Sequence, residues 1–337
     1  MKALICKEPG VFEYQDLAEP KLEPGYTILS VKRVGVCGTD IHAFAGNQPF
    51  FEYPRILGHE LACSILETTD PNFDAGELVT LIPYFNCGDC IACNQGKGNC
   101  CVRIKVFGVH IDGGMRQRIA VPNEYLIKSQ GLDLDALALV EPLSIGQHAV
   151  IRSGLQKGDF ALIVGAGPIG LGLMEMARLA GAEVIAMDVN ESRLAICSQK
   201  FGIEHCINPA KEDAIDRLKS ITLGNMPNIV FDASGSLKAI NQAFQFLAHT
   251  GRYVLVGLQK EYISFSHPEF HKREASLMSS RNASKQDFDQ VISYLQSGQV
   301  NSSHYITHRY DFEAIADEFN QISLPENACI KAIIELD

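Results

Sequence analysis

The sequence predicts an α/β protein in which a parallel-sheet domain is inserted into a β-rich domain built from both ends of the chain. Three observations predict it. The first 140 or so residues alternate short apolar runs with Gly and Pro. From Phe160 onward, strand-like and helix-like segments alternate. The C-terminal stretch then returns to mixed helix and strand. At 337 residues there is room for about two domains of roughly 100–200 residues each.

Taken in order, Thr27–Val31, Leu78–Pro83 and Gln117–Val121 read as short strands between turns. The texture changes near residue 143. Phe160–Val164 is a buried-strand run, and Pro168–Ala180 has helical periodicity, with Pro168 near its start and Gly181 past its end. Val184–Met187 is a strand and Ser192–Phe201 a helix stopped at Gly202. Ile229–Ala233, Leu237–His249 and Arg252–Gly257 repeat strand, helix and strand. Ser284–Gln296 forms a helix ending at Gly298. These segments place a β-rich domain at 1–143 and 283–337 and an α/β domain at 144–282. No internal repeat or low-complexity stretch interrupts them.

Lys and Arg number 29 against 40 Asp and Glu, a formal charge of −11. That balance argues against a sequence-independent grip on nucleic-acid phosphates and offers no polybasic handle for an anionic membrane. No apolar core of a signal peptide follows Met1–Cys6, and no run approaches the length of a membrane span. A cytoplasmic protein with reduced thiols is expected. In that setting the eleven cysteines, five of them at 87, 90, 93, 100 and 101, point to metal rather than disulfides.

Three constellations carry chemistry. Gly165-Ala166-Gly167-Pro168-Ile169-Gly170 lies between a strand and an amphipathic helix, the context that makes a Gly-rich turn a dinucleotide site. Gly165 permits the turn, Gly167 admits the pyrophosphate and Gly170 lets helix pack on strand. Free N–H groups at the helix start then hold the phosphates. Asp188 ends the next strand, placed for the ribose hydroxyls. Its charge would repel a 2′-phosphate, and no Lys or Arg follows at 189 or 190, so NAD is expected over NADP.

The second constellation, Cys87, Cys90, Cys93 and Cys101, has the composition of a closed tetrahedral zinc site that staples a loop. Cys100 is the competing donor, and an iron–sulfur site or free thiols are the competing readings. The third is dispersed. Cys37, His59 and Glu141 together would leave a fourth metal position open, the catalytic arrangement, and one thiolate plus one carboxylate neutralise Zn²⁺. Taken singly each is weak: a histidine beside glycine is commonly structural, and Glu141 before Pro142 could be a linker charge.

The blocks GVCGTDIH, GHE, Cys-x2-Cys-x2-Cys-x7-Cys, VEP and VGAGPIG, followed by the strand-ending Asp188, occur in an order that resembles the zinc-dependent medium-chain dehydrogenases along essentially the whole chain. The resemblance implies a GroES-like catalytic domain, a Rossmann coenzyme domain, one catalytic and one structural zinc, NAD, and a homodimer or homotetramer. Cys37, His59 and Glu141 match the catalytic ligands of the sorbitol-dehydrogenase-like branch. Glu60 matches an acidic neighbour of that zinc, with direct ligation, ligation through water and exchange left open. Thr39 matches the hydroxyl that takes the substrate proton, His42 the histidine that passes it out, and Arg193 the residue that covers the adenosine ribose.

Further stretches, among them Gly46–Phe51, Gly108–Gly114 and Ser280–Ala283, resemble sugar-acid dehydrogenases acting on L-galactonate-like substrates. Sorbitol, idonate and threonine dehydrogenases and starvation-sensing proteins are similar but further off. An acid substrate needs a cation. Arg116, Arg118, Lys272 and Arg281 are candidates, with Arg281 preferred. Phe50 and Phe51 could wall the substrate site or belong to the core. His110, His148, His271 and His308 read as structural or surface residues. Two rivals from other classes are a zinc-ribbon nucleic-acid binder, disfavoured by charge, and a sensor that binds NAD and a metabolite without turnover. The open metal position weighs against the sensor.

Overall fold

The structure is a computed structural model that describes residues 1–48, 51–324 and 327–336. It divides into two compact units, Met1–Pro142 with Ser284–Asp337, and Leu143–Ala283.

The first unit is β-rich. Its largest sheet runs in the order Leu126–Lys128, Leu78–Leu81, Glu60–Thr68, Tyr26–Gly35, Lys331–Glu335 and Ile306–Asp311, with Arg118–Pro122 also paired to Tyr26–Gly35. The C-terminal strand Lys331–Glu335 therefore lies against the long strand Tyr26–Gly35, which lies against Glu60–Thr68. In register, Gly35 stands opposite Glu60 on one side and Ile333 on the other. Leu29, Val34, Leu61, Ile65 and Ile334, all essentially without exposure, build the core from these strands. The helix Lys285–Gln296 opens on a Ser284–Asp287 capping box. It buries Phe288, Val291, Ile292 and Leu295, spaced for a single helical face.

The second unit is a parallel sheet of six strands. Their order is His205–Ile207, Glu183–Met187, Phe160–Val164, Ile229–Asp232, Arg252–Leu255 and Ser276–Ser279. The chain starts near the middle, winds outward one way and then the other, so the order reverses beside Phe160–Val164. Ligands bind α/β sheets at such a reversal. The inner strands are buried over most of their length, as strands of a parallel sheet covered on both faces are.

One expectation is corrected, and one competing reading is set aside. The helix read as Leu237–His249 ends at Ala243 and gives way to a 3₁₀ turn, Phe244–Phe246. Ala243, Phe244, Phe246, Leu247 and Ala248 are all buried, more than one face of a helix can cover, so the chain leaves the helix. Glu141 is no linker charge. It sits inside the helix Leu134–Ser153, which the division between the units crosses just after Pro142.

The tightest point of the second unit is the glycine turn. A Cβ on Gly170 would stand 1.9 Å from the Gly165 carbonyl oxygen. Gly170→Ala must therefore shift backbone, and a loss of about 1–3 kcal/mol is expected. The midpoint of urea unfolding, compared with wild type at constant slope, measures it.

Candidate metal and coenzyme sites

The thiol cluster comes from one loop. Two turns of helix, Ile91–Asn94 and Gly98–Cys100, fold residues 87–101 back on themselves. Cys90 Sγ lies 3.5 Å from Cys93 Sγ, Cys101 Sγ 3.4 Å from Cys87 Sγ, and Cys87 Sγ 4.0 Å from Cys93 Sγ. A tetrahedron with metal–sulfur bonds of about 2.3 Å has edges of about 3.8 Å, so these spacings fit a single ion. They are far too long for S–S bonds, and all eleven cysteines are free thiols. Backbone N–H groups of Cys87 and Arg103 point at Cys101 Sγ, both at 3.3 Å. N–H groups of Cys93 and Val102 pull the Cys90 thiol down to about 6. The neighbouring Cys93 thiol is pushed the other way, up to about 11, by burial and by its bond to Cys90. Cys100 is exposed and stands outside the cluster.

The second cluster draws on three elements. Cys37 caps the helix Gly38–Phe44, His59 precedes the strand Glu60–Thr68, and Glu60 begins it. One ligand atom from each of Cys37, His59 and Glu60 lies within 4.8 Å of the others. Asp40 locks the geometry. Fully buried, it accepts hydrogen bonds from Cys37 N at 2.9 Å and Gly58 N at 3.1 Å, and its Oδ1 stands 3.8 Å from His59 Nδ1. Nδ1 has no hydrogen-bond partner, while the Cys37 thiol bonds the ring, so Nε2 is the nitrogen turned to Cys37. A carboxylate behind a histidine is the usual support of a metal-binding imidazole.

Glu141, 4% exposed, is held in hydrogen-bond contact by the buried Tyr84 hydroxyl. It lies outside the tightest donor group, yet its charge acts on His59 and it feels Glu60 and Lys331. Burial lifts its carboxyl to about 7, with Glu60 repelling it and His59 attracting it. Two carboxylates and a thiol thus share a region that also holds the Lys331 ammonium. A dication fits that donor set and relieves its charge.

Lys331 is the buried charge beside this cluster that pattern reading missed. It is 2% exposed, and its Nζ donates to Glu60 Oε1 at 2.8 Å, to Oε2 at 2.7 Å, and to the Val36 carbonyl at 3.1 Å. The available signal was a lysine leading the apolar run Ala332–Ile334, a place where a strand normally keeps an apolar residue.

In the second unit Gly165 takes φ of +103°, and a Cβ there would strike Ser234 N at 2.7 Å. Gly167 caps the helix Pro168–Leu179, with open space where its side chain would be. Ile169 follows Pro168 in that first turn. Asp188 accepts from Ala166 N at 2.7 Å and Asn190 N at 2.8 Å, with Arg193 Nη1 3.9 Å from Oδ2. One carboxylate thus ties the glycine turn to the end of the second strand and keeps lone pairs for further donors.

Among the other candidates, Thr39 is half-buried, while His42 and Arg281 are exposed. Arg118 pairs with Glu19 at 2.5 Å and Lys272 with Glu269 at 3.1 Å, as surface charges do. Arg116 Nη2 donates to the Asp112 carbonyl at 3.4 Å. His110 Nδ1 accepts from Val106 N at 3.0 Å, a structural bond. His148 is half-buried, while His271 rests on His267 and His308 on Thr307. Phe51 packs on Tyr53 at the edge of the core, and Phe50 lies outside the described residues.

Known proteins share this plan. The profile described as alcohol dehydrogenase GroES-like domain matches residues 23–131, and that described as zinc-binding dehydrogenase matches 168–297. L-galactonate-5-dehydrogenase of Escherichia coli K12 is 38% identical, with 99% of this chain and 98% of that protein covered. The chain belongs to the zinc-type alcohol dehydrogenase family. Sorbitol dehydrogenase of Halalkalibacterium halodurans is 30% identical over 92% of both chains. The crystal structure of the RspB alcohol dehydrogenase from Escherichia coli CFT073, complexed with NADH, superposes with a TM-score of 0.92 at 27% identity. It covers 100% of this chain and 99% of its own. As a zinc-type alcohol dehydrogenase the chain is an oxidoreductase acting on CH–OH groups, of the sugar-acid and polyol kind, with a GroES-like domain and a Rossmann sheet. No described helix is long and apolar enough to cross a membrane.

The thiol spacings yield a direct test. Cys101→Ser should lower bound metal by roughly one equivalent per chain, while Cys100→Ser should leave it unchanged. Elemental analysis of the purified variants decides between the two thiols.

Proposed function

We propose that this chain oxidises a secondary hydroxyl of an L-galactonate-like sugar acid or polyol to a ketone, with NAD as acceptor and zinc as cofactor. The observation that carries the reading is the buried donor cluster of Cys37, His59 and Glu60, with Glu141 in electrostatic reach. Cys37, His59 and Glu141 would hold the catalytic zinc, with Glu60 beside it, and Cys87, Cys90, Cys93 and Cys101 a structural one. When bound, zinc supplies Lewis acidity to a substrate hydroxyl and NAD supplies the hydride acceptor.

The chain's own residues do the rest. Thr39 Oγ1 takes the hydroxyl proton, and the His42 ring, three residues along the helix Gly38–Phe44, passes it to water. That spacing puts the two on neighbouring positions of one helix face, with half-buried Thr39 inward of exposed His42. Asp40 and Tyr84 hold His59 and Glu141 in place. Gly165, Gly167, Pro168, Ile169 and Gly170 present the helix start to the pyrophosphate. Asp188 receives the ribose hydroxyls and repels a 2′-phosphate, with Arg193 over the ribose. Arg281 receives the carboxylate of an acid substrate. The enzyme works in the cytoplasm as a homodimer or homotetramer assembled through the coenzyme-domain sheet, whose last strand, Ser276–Ser279, has an exposed edge.

Mixing the protein with NAD and a panel of hexonates and hexitols, and following nicotinamide absorbance, tests the activity. Reduction with a hexonate is the expected result. No signal with any substrate at full metal content would leave the sensor reading standing. Glu141→Ala should retain the thiolate-held ion, lose the other and lose turnover, and full activity in that variant would overturn the ligand set. Asp188→Ser should shift the NADP-to-NAD preference by at least about tenfold, since it removes a like charge from the 2′-phosphate. Steady-state kinetics with both coenzymes measures the change.

A further inference from the structure

Glu60 is fully buried, and three contacts determine where its carboxylate rests. Lys331 Nζ reaches both oxygens, at 2.8 and 2.7 Å, and is itself anchored to the Val36 carbonyl. Gly35, opposite Glu60 in the strand register, leaves the space that the carboxylate fills, since a Cβ there would stand 2.1 Å from Oε2 and 2.9 Å from the Glu60 Cβ. Yet a Glu60 oxygen is within 4.8 Å of donor atoms on Cys37 and His59. The same carboxylate is therefore in reach of two cations, the ammonium of Lys331 and whatever ion Cys37 and His59 hold.

We propose that Lys331 is a positioning residue that holds Glu60 off the catalytic metal and so keeps the fourth metal position open for substrate. This rests on the ligand set proposed above. The reasoning is electrostatic. A buried carboxylate without a partner is costly enough that it finds a cation or takes a proton. Cys37 as thiolate and Glu141 as carboxylate already match a dication, and Lys331 matches Glu60. With the ammonium gone, the metal is the cation that remains within reach, and Glu60 closes the position that substrate needs.

Cobalt substitution reads this out without turnover. The visible d–d bands of Co²⁺ follow coordination number and donor type, and the thiolate-held ion contributes a background that the variants leave alone. Lys331→Met should shift the bands of the Cys37–His59 ion. It should also slow that ion's removal by a chelator by about 10–100-fold, with kcat falling more than KM rises. Lys331→Arg, which keeps a cation, should retain the wild-type spectrum. Lys331→Met combined with Glu60→Gln should restore it, since a neutral amide competes poorly for the metal. Gly35→Ala, which evicts Glu60 while leaving Lys331 intact, should reproduce the shift, so the test survives if Lys331→Met fails to fold. An unchanged spectrum in Lys331→Met or Gly35→Ala with both ions bound overturns the proposal. A chain that binds only the thiolate-held ion, before and after Cys37→Ser, overturns the ligand set instead.

Discussion

Glu60 has no exposed surface, and its carboxylate meets the equally buried Lys331 at 2.7 and 2.8 Å. The two are 271 residues apart in sequence. The pair exists because the last strand of the chain, Lys331–Glu335, is laid against Tyr26–Gly35, whose other neighbour begins at Glu60. Removing a carboxylate and an ammonium from water costs several kcal/mol apiece, and an apolar pair of similar volume often stabilises a core better. Stability alone is therefore a poor reason for this arrangement. What the pairing does secure is a carboxylate within 4.8 Å of donor atoms on Cys37 and His59, and it takes the C-terminal strand to supply its partner.

The coenzyme unit depends on a different constraint, the close approach of backbones. Gly165 abuts Ala233 and Ser234 at the end of the neighbouring strand, and Gly170 abuts Gly165. These contacts bring the start of the helix Pro168–Leu179 up to the reversal of strand order, where its free N–H groups face outward from the sheet. Asp188 then joins the turn to the next strand through Ala166 N. Electrostatics shapes the first unit and the absence of side chains shapes the second.

That difference governs what was legible in the sequence. The glycine turn, the inner strands and the thiol cluster are local, and a window of a few residues contains all that determines them. Phe160–Val164 is read correctly because burial on both faces makes it apolar throughout. The outer strands His205–Ile207 and Ser276–Ser279 are missed because a sheet edge needs no such run, and the second of them is largely exposed. The helix Leu134–Ser153 is missed because it is apolar on nearly all sides and carries Pro142, which looks like a break. Its concealment matters, since it leaves Glu141 open to the competing reading of a linker charge, where the structure has a buried carboxylate against Tyr84. Lys331 was out of reach for another reason: its partner is fixed by strand pairing between the two ends of the chain, which no local window contains.

The charge of −11 gains meaning at this scale. A carboxylate substrate approaches such a protein against the mean field, so affinity for a sugar acid must come from local compensation. On the function proposed above, an unpaired Glu60 at the Cys37–His59 cluster would add a full negative charge beside the substrate, in a region too dry to screen it. Lys331 cancels that charge at its source. On this view the buried ion pair serves substrate choice as well as metal geometry. An enzyme that keeps two carboxylates at its centre can accept a third, on the substrate, only while one of its own is already paired.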